Sequence, residues 1–292
     1  MKPAPFEYHS PRSLEEALGL MASLGDQARP LAGGQSLVPM LSMRLARPAA
    51  IVDLNGIDEL SYHRIESDAL VIGALCRHRD VELDAEVGVC CQAIGEAVPL
   101  IGHIAIRNRG TVVGSIAHAD PAAEWPLFAM LLDGIAHVDG PRGARRVASR
   151  DLFQGAFSTA LDDGELMTEA RFALPPPSSG SAFLEVARRH GDFALGAAAA
   201  VVDLAPDGGV REARVAIAGI EAVPSRLEHA ESVLAGRVPT EEACAAAAAA
   251  AAADLQPSDD IHAPAAYRRQ LAQTLVRRAL SLAAARAGRT ES

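Results

Sequence analysis

The sequence has few aromatic residues and lacks several patterns that would assign a function at once. Aromatic side chains make up 4% of its 292 residues. The four cysteines have neither metal-site nor disulfide spacing, so we expect buried free thiols and no metal or iron–sulfur site. Apart from an alanine tract flanked by acidic residues, no apolar run is long enough to span a bilayer. The N-terminus has no apolar signal-peptide core, which predicts a cytoplasmic protein.

Charge excludes a further class of protein. The net charge is −10, and the few basic pairs never extend into a long basic run. A nucleic-acid binder is therefore not expected, because its footprint is a basic patch. The composition, with 49% hydrophobic and 22% charged residues, is that of a soluble globular protein of two or three domains.

One glycine-containing stretch, Leu31–Pro39, is the first candidate site. Gly33 and Gly34 permit positive φ and a close approach to the backbone, and a short helix is predicted from residue 37 to 45. Consecutive N–H groups beside a helix start form a natural anion site, which suggests the pyrophosphate of a dinucleotide. Taken alone, the stretch is more typical of a plain turn between a strand and a helix.

The order of predicted elements divides the chain into three regions and a linker. A strand–loop–helix–strand pattern predicts an α/β subdomain at 1–55, and mixed short strands and helices follow at 56–174. The Pro- and Ser-rich segment 175–180 is a linker. The last region, 181–292, predicts three strands and then three helices. The strands are 182–187, 197–204 and 210–218, and the helices are 226–235, 240–253 and 265–287.

A second polar segment lies about 75 residues after the first. Thr111 and Ser115 supply hydroxyls around Gly114, and the carboxylates Asp120 and Glu124 follow. Neither segment matches the Gly-x-Gly-x-x-Gly fingerprint or the phosphate-binding loop ending in Gly-Lys-Ser/Thr. Two such segments would suit a long ligand gripped between subdomains, held differently from a Rossmann cofactor.

Four motifs in a fixed order carry a family resemblance. They are Ala-Gly-Gly-Gln-Ser at 32–36, Ile-Arg-Asn-Arg-Gly-Thr at 106–111, Gly-Ser-Ile-Ala-His-Ala-Asp-Pro at 114–121 and Arg-Arg-His-Gly-Asp-Phe-Ala at 188–194. The chain resembles the FAD-binding medium subunit of molybdenum hydroxylases, the group of carbon monoxide dehydrogenase and xanthine dehydrogenase. The resemblance implies an α+β fold. It has a two-subdomain FAD-binding region of the vanillyl-alcohol-oxidase type and then a small α+β domain with a three-stranded antiparallel sheet.

The resemblance also implies which residues bind FAD. Those of the first loop are Ala32, Gly33, Gly34, Gln35, Ser36 and Leu37, and those of the second are Thr111, Val112, Gly114 and Ser115. Asp120 or Glu124 would face the polar tail of the flavin. Leu166 would contact the adenine or flavin end, and Phe193 would lie beside the isoalloxazine ring, unless it is a plain core aromatic. No catalytic residue is expected on this chain.

Four departures from the family pattern stand out. Val113 replaces a common glycine, and because positive φ would strain a β-branched residue we expect Val113 in a β conformation. Ser115 replaces the commoner Asn and has a shorter reach. Glu124 stands where Asp is common. Glu185 stands at or beside a position where relatives often carry Lys, and the loss of that positive charge would alter the electrostatics around the flavin.

The resemblance implies electron transfer as the function. A molybdopterin-containing large subunit would oxidise the substrate, a small subunit with two [2Fe-2S] clusters would relay electrons, and FAD here would deliver them to an acceptor. A dimer of heterotrimers is expected. Neither the substrate nor the acceptor (NAD, a quinone or oxygen) is specified by these residues. A stand-alone flavin oxidoreductase and a non-catalytic assembly protein are the alternatives.

A basic and polar cluster just before the second segment has two interpretations. His103, Arg107, Asn108 and Arg109 could line a cofactor edge or the route to a partner subunit. They could equally brace the loop by binding its carbonyl groups, and this second interpretation is favoured.

Overall fold

The N-terminal region is a small parallel sheet flanked by helices. The computed structural model describes residues 2–287. Its first elements are β1 (Glu7–His9), α1 (Leu14–Leu24), β2 (Ala28–Leu31), α2 (Leu37–Ser42) and β3 (Ala50–Asp53). The strands pair in parallel in the order β1-β3-β2, with Leu31 opposite Asp53. The predicted strand–loop–helix–strand unit is present, but α2 ends three residues early because Arg44 takes a positive φ of 58°.

The second region is built around a five-stranded antiparallel sheet. Its first two strands and the helices that follow them are β4 (His63–Ile65), β5 (Ala69–Gly73), α3 (His78–Leu83), α4 (Ala85–Cys90), α5 (Gln92–Ala97), α6 (Ile104–Arg107), α7 (Val112–His118) and α8 (Glu124–Leu131). The remainder are β6 (Ile135–Gly140), β7 (Gly143–Ala148), α9 (Ser149–Leu152), β8 (Phe153–Gly155), β9 (Ser158–Thr159) and β10 (Leu166–Ala173). The strand order is β4-β5-β10-β6-β7, with β8 and β9 forming a separate hairpin.

The C-terminal region is an antiparallel sheet followed by three helices. Its elements are β11 (Gly180–Ala187), β12 (Ala194–Leu204), β13 (Val210–Ala218), β14 (Ser225–Arg226), α10 (Glu228–Leu234), α11 (Glu241–Asp254) and α12 (Ala265–Ala287). The three predicted strands are present, and the two-residue β14 adds a fourth to the sheet. The predicted α+β fold class is confirmed. Gly180, assigned to the linker from the sequence, is the first residue of β11; the domain boundaries themselves remain a proposal.

Strand β12 is buried on both faces, which explains its nearly continuous run of alanine and valine. Ala197, Ala199 and Val201 join the core of the first two regions. Ala198, Ala200 and Val202 face the opposite core, which α11 and α12 cover. Because successive side chains of a strand point to opposite faces, one strand contributes to both cores.

The alanine tract forms the helix that was predicted. In α11, Ala247, Ala248, Ala251 and Ala252 are buried, and the helix packs between α10 and α12. Thr240 caps its start by accepting a hydrogen bond from the Ala243 N–H. The tract therefore serves a close helix–helix contact. No helix within residues 2–287 is both long and apolar enough to cross a membrane.

The C-terminal region is fixed to the second region by polar contacts at α5. The buried Ser181 hydroxyl accepts a hydrogen bond from the Ala93 N–H at 3.1 Å. The Phe183 N–H donates to Glu96, which also forms an ion pair with Arg286 of α12. Gly180 lies against α12 so closely that a Cβ would overlap the Ala283 carbonyl oxygen.

We predict that Gly180→Ala destabilises the protein, because the added methyl group must displace the backbone of α12. A loss of about 1–3 kcal/mol in the free energy of unfolding is expected from such overpacking. Gly19→Ala is the matched control, since Gly19 is an exposed helical position with open space around it. It should be neutral or stabilising by up to about 1 kcal/mol. Urea denaturation of both variants measures the difference, and equal stabilities would contradict the close contact.

Candidate functional site

The first predicted loop connects the end of β2 to the start of α2 and has unused hydrogen-bond donors. Within the described chain, the backbone N–H groups of residues 33–37 have no hydrogen-bond partner. Gly34 has a φ of 73°, and the Gln35 side chain donates to the Gly33 carbonyl at 3.1 Å. The Ser36 hydroxyl makes no capping bond to α2. Five consecutive free donors form a concentration of positive partial charge that suits an anionic group.

The second predicted segment is the first turn of helix α7 and not an open loop. Thr111 caps the helix, and its hydroxyl accepts a hydrogen bond from the Gly114 N–H at 3.2 Å. Val112, Gly114 and Ser115 are helical residues. The expectation of a β conformation for Val113 is wrong: the residue is helical and its side chain is 2% exposed. A β-branched residue is tolerated there because a helical φ is negative and the side chain packs into the core.

The two segments touch each other. A Cβ built on Gly33 would lie 2.5 Å from the Arg109 carbonyl oxygen and 2.6 Å from the Gly110 Cα. One built on Gly114 would lie 3.9 Å from the Cβ of Ala32. The structure therefore brings the first loop and the start of α7 together, although 75 residues separate them in sequence.

Two residues that the sequence did not single out hold this contact. The Arg77 guanidinium donates to the Arg109 carbonyl and to the Asn55 side-chain oxygen, both at 2.6 Å. The Asn55 amide in turn donates to the Ala32 carbonyl at 2.8 Å. Arg77 and Asn55 thus form a bridge between the backbones of the two segments. In the sequence, Asn55 follows β3 by two positions and Arg77 follows β5 by four, and neither belongs to a recognisable motif.

A buried histidine supports the backbone before Thr111. The Trp125 indole N–H donates to Nδ1 of His78 at 3.0 Å, and Gly110 lies against the imidazole ring. The His78 N–H donates to the Gly110 carbonyl at 3.0 Å. Burial, with lesser contributions from Arg107 and Arg77, lowers the pKa of His78 to about 4. His78 is therefore neutral at pH 7, with Nδ1 as the acceptor.

The predicted carboxylates lie after α7 and at the start of α8. Asp120 accepts a hydrogen bond from the Ala122 N–H at 2.9 Å, and burial raises its pKa. Glu124 is 8% exposed, and burial, together with the nearby Glu185, raises the pKa of its carboxyl to about 8. Burial also raises the pKa of Glu185 to about 7. Burial thus favours the neutral acid form of both side chains, more strongly for Glu124 than for Glu185.

The last two predicted residues differ in exposure. Leu166 starts β10 opposite Asp139 and is 3% exposed, so its side chain is packed into the core. Phe193 is 64% exposed and lies in the turn between β11 and β12, which excludes the plain core aromatic. This turn packs on the second region, because a Cβ on Gly191 would lie 2.7 Å from the His103 ring.

The basic cluster before α7 includes a bracing residue. Arg107 is buried, pairs with Glu82 at 2.8 Å and donates to the carbonyls of Ile101 and Gly102. Arg109 contributes its carbonyl to the bond from Arg77. For Arg107, the bracing interpretation describes what the side chain does.

A cavity of about 420 Å³ has none of the predicted residues in its lining. It is lined by Ser61, Tyr62, His63, Cys76, Asp80, Leu83 and Asp84. His63 pairs with Asp84 at 2.8 Å and lies 3.8 Å from the Cys76 sulfur. Burial raises the pKa of Cys76 to about 12, so this thiol stays protonated and is a poor nucleophile. All four cysteines are free as predicted, although Cys90 is only half-buried.

Comparison with known proteins identifies both halves of the chain. Residues 4–175 match the family described as the FAD binding domain in molybdopterin dehydrogenase. Residues 181–283 match the CO dehydrogenase flavoprotein C-terminal domain.

Curated relatives and solved structures are similar over nearly the whole length. The chain is 39% identical to the 6-hydroxypseudooxynicotine dehydrogenase complex subunit alpha of Paenarthrobacter nicotinovorans, covering 100% of this chain and 98% of that protein. It is 38% identical to the carbon monoxide dehydrogenase medium chain of Afipia carboxidovorans, over 98% and 99%. A carbon monoxide dehydrogenase structure from Hydrogenophaga pseudoflava superposes with a TM-score of 0.94 at 37% identity, covering 98% and 99% of the two chains.

We predict that His78 makes the protein less stable in mild acid. Its pKa is about 4 when folded and near 6.5 when unfolded, so its contribution is complete above pH 6.5 and is lost as the pH falls towards 4. The shift corresponds to about 3 kcal/mol over that range. His78→Asn keeps an acceptor near the Nδ1 position and should weaken the pH dependence. Urea unfolding at pH 7 and pH 5 tests this, with the exposed His262→Asn as control; identical pH dependence in all three proteins would contradict it.

Proposed function

Because this chain belongs to the family of FAD-binding medium subunits of molybdopterin dehydrogenases, we propose that it is the electron-transfer subunit of a molybdenum hydroxylase. It is an oxidoreductase subunit, and its cofactor is FAD. In the proposed scheme, electrons arrive from [2Fe-2S] clusters of a partner subunit and leave through FAD to an external acceptor. The substrate is oxidised on another chain.

The observation that carries the FAD site is the row of five free N–H groups at residues 33–37. A pyrophosphate has several acceptor oxygens and negative charge, which such a row binds well. Ala32 precedes this row, and the Gln35 side chain and the Ser36 hydroxyl extend it. The residues present therefore fit the cofactor that the family implies.

The second segment contributes fewer donors than its sequence suggested. The N–H groups of Gly114 and Ser115 are already bonded to Thr111. The donors that we assign to FAD are therefore the Val113 N–H and the hydroxyls of Thr111 and Ser115. Gly114 leaves space beside Ala32, and Val112 packs beneath the turn as a buried side chain.

The other proposed contacts lie at the two ends of the cofactor. Asp120 and Glu124 would accept hydrogen bonds from FAD, since their carboxyl groups are partly or fully removed from solvent. Phe193 would cover the isoalloxazine, because an exposed aromatic ring in a turn offers a flat apolar face. Leu166 would contribute an apolar wall from the start of β10.

Bound FAD would supply the redox chemistry, and the protein would supply binding, orientation and electrostatics. The Arg77–Asn55 bridge would keep the two donor segments at a fixed separation. Neutral His78 would support Gly110 without adding a charge. Each of these side chains acts by holding the backbone donors in position, so we assign no residue of this chain to acid–base chemistry on the substrate.

The proposed assembly follows the relatives. We propose a molybdopterin-containing large subunit and a [2Fe-2S] small subunit as partners, in a dimer of heterotrimers located in the cytoplasm. The relatives are named as the medium chain or a subunit of dehydrogenase complexes, which supports a multi-subunit protein.

Co-expression with a molybdopterin-containing large subunit and a [2Fe-2S] small subunit tests the proposal. We expect a yellow complex in which reduced iron–sulfur clusters reduce the flavin in stopped-flow absorbance, while the chain alone binds FAD without substrate turnover. Turnover by the chain alone would favour a stand-alone oxidoreductase. A colourless chain that ignores added FAD would favour an assembly protein.

We predict that Gly33→Ala weakens FAD binding at least tenfold. The added methyl group would collide with the Arg109 carbonyl and move the five free donors away from α7. Quenching of flavin fluorescence by the apoprotein gives the dissociation constant, and Gly19→Ala is the control. Unchanged affinity in a folded Gly33→Ala variant would exclude the first loop from the FAD site.

A further inference from the structure

Two glutamates from different regions are brought together by the packing of α8 on the C-terminal sheet. The rings of Phe128 and Phe183 are in contact, with their centroids 5.8 Å apart. Glu124 lies one helical turn before Phe128, and Glu185 lies two residues beyond Phe183 in β11. Positions i and i+4 of a helix share a face, as do positions i and i+2 of a strand. The same contact therefore places both glutamates on the facing sides of α8 and β11, where the charge of Glu185 raises the pKa of Glu124.

Glu124 is buried and Glu185 is half-buried, and neither has a compensating cation among the described residues. Glu124 is 8% exposed, and the Oε2 atom of Glu185 is buried without a hydrogen-bond partner. Across the described residues, no ion pair joins either glutamate to a base. A buried polar atom without a partner is costly, so it points to a donor that is missing from the isolated chain.

The charged groups of the packed elements are engaged elsewhere. On α12, Arg286 binds Glu96 of α5, and Arg268 binds Asp260 and the carbonyls of Leu195 and Gly219.

On the sheet side, Arg214 of β13 and Arg226 of β14 face Asp133, beyond the far end of α8. On the α7 side, Asp120 adds a negative charge near Glu124, and the half-buried His118 faces Asp120. Arg188 and Arg189, which follow β11, are exposed. The surroundings therefore favour the neutral form of both glutamates.

We propose that Glu124 and Glu185 form a pair of neighbouring carboxyl groups within the FAD site, and that the pair takes up one proton from solvent when FAD binds. The proposal rests on the proposed function, because it assumes that FAD binds beside Glu124. FAD brings the negative charge of its pyrophosphate and excludes water from the pair. Both effects disfavour an ionised carboxyl, so the pair binds protons more tightly with FAD present.

The proton balance is simple. One carboxylate of the pair becomes a carboxylic acid, whose O–H donates to the other glutamate or to an acceptor on FAD. The second glutamate accepts a hydrogen bond from an N–H or O–H donor of FAD. No electron moves, and the proton comes from the buffer. The pH range follows from the carboxyl groups, since burial raises the pKa of Glu185 to about 7 and that of Glu124 to about 8.

Calorimetric titration of the full-length apoprotein with FAD tests the proposal. Titrations at pH 9 in two buffers of different ionisation enthalpy give the number of protons taken up, which should approach one because the pair is mainly ionised at that pH without FAD. The dissociation constant should rise with pH above about 7, by at most about tenfold per pH unit for one proton. Thermal denaturation of the apoprotein across the same pH range reports folding separately from FAD binding.

Conservative variants supply the controls. Glu185→Gln and Glu124→Gln keep the size and hydrogen-bonding capacity of each side chain, and in both we expect proton uptake to fall below half. Glu15→Gln, at an exposed position in α1, should behave as the unmodified protein.

Two outcomes separate this proposal from the proposed function. FAD binding with no proton uptake, or with the same uptake in all variants, would overturn the carboxyl pair and leave the FAD site intact. An absence of FAD binding at any pH in a folded protein would overturn both.

Discussion

The contact between Gly33 and the backbone of Arg109 and Gly110 is the constraint on which the candidate site depends. Only a residue without a Cβ permits it, because a Cβ would approach the Arg109 carbonyl to 2.5 Å. Arg77 and Asn55 hold the contact from one side, and His78 supports it from beneath Gly110. In the proposed function, donors from the N-terminal parallel sheet and from a helix of the second region would thereby act on one ligand.

Much of the fold could be predicted from local patterns. The bounds of β13 and α12 agree with the prediction, because β13 follows a clear Asp-Gly-Gly turn and α12 has no internal breaker. Short elements were harder to predict from the sequence. Strand β1, for example, has only three residues and is stabilised by its pairing with β3. Val113 was misjudged because the sequence suggests a strained loop, whereas the Thr111 cap starts a helix there.

The site could be predicted only in part, and the reason is physical. Motifs identify backbone that another group can approach closely, such as Gly33 and Gly34, because residues without a side chain are needed there. They do not identify Arg77 or Asn55, which are ordinary residue types made useful by distant partners. The pairing of Glu124 with Glu185 is likewise a result of helix-on-sheet packing, since 60 positions of sequence lie between them.

Strand β12, whose two faces belong to two different cores, has a mechanical consequence. A hinge motion between the second and C-terminal regions would have to expose alanine and valine side chains on at least one face, at about 25 cal/mol for each Å² uncovered. The two regions are therefore coupled as one rigid support. Tunnelling rates fall steeply with distance, so such a support suits a protein in which the spacing between redox centres must remain constant.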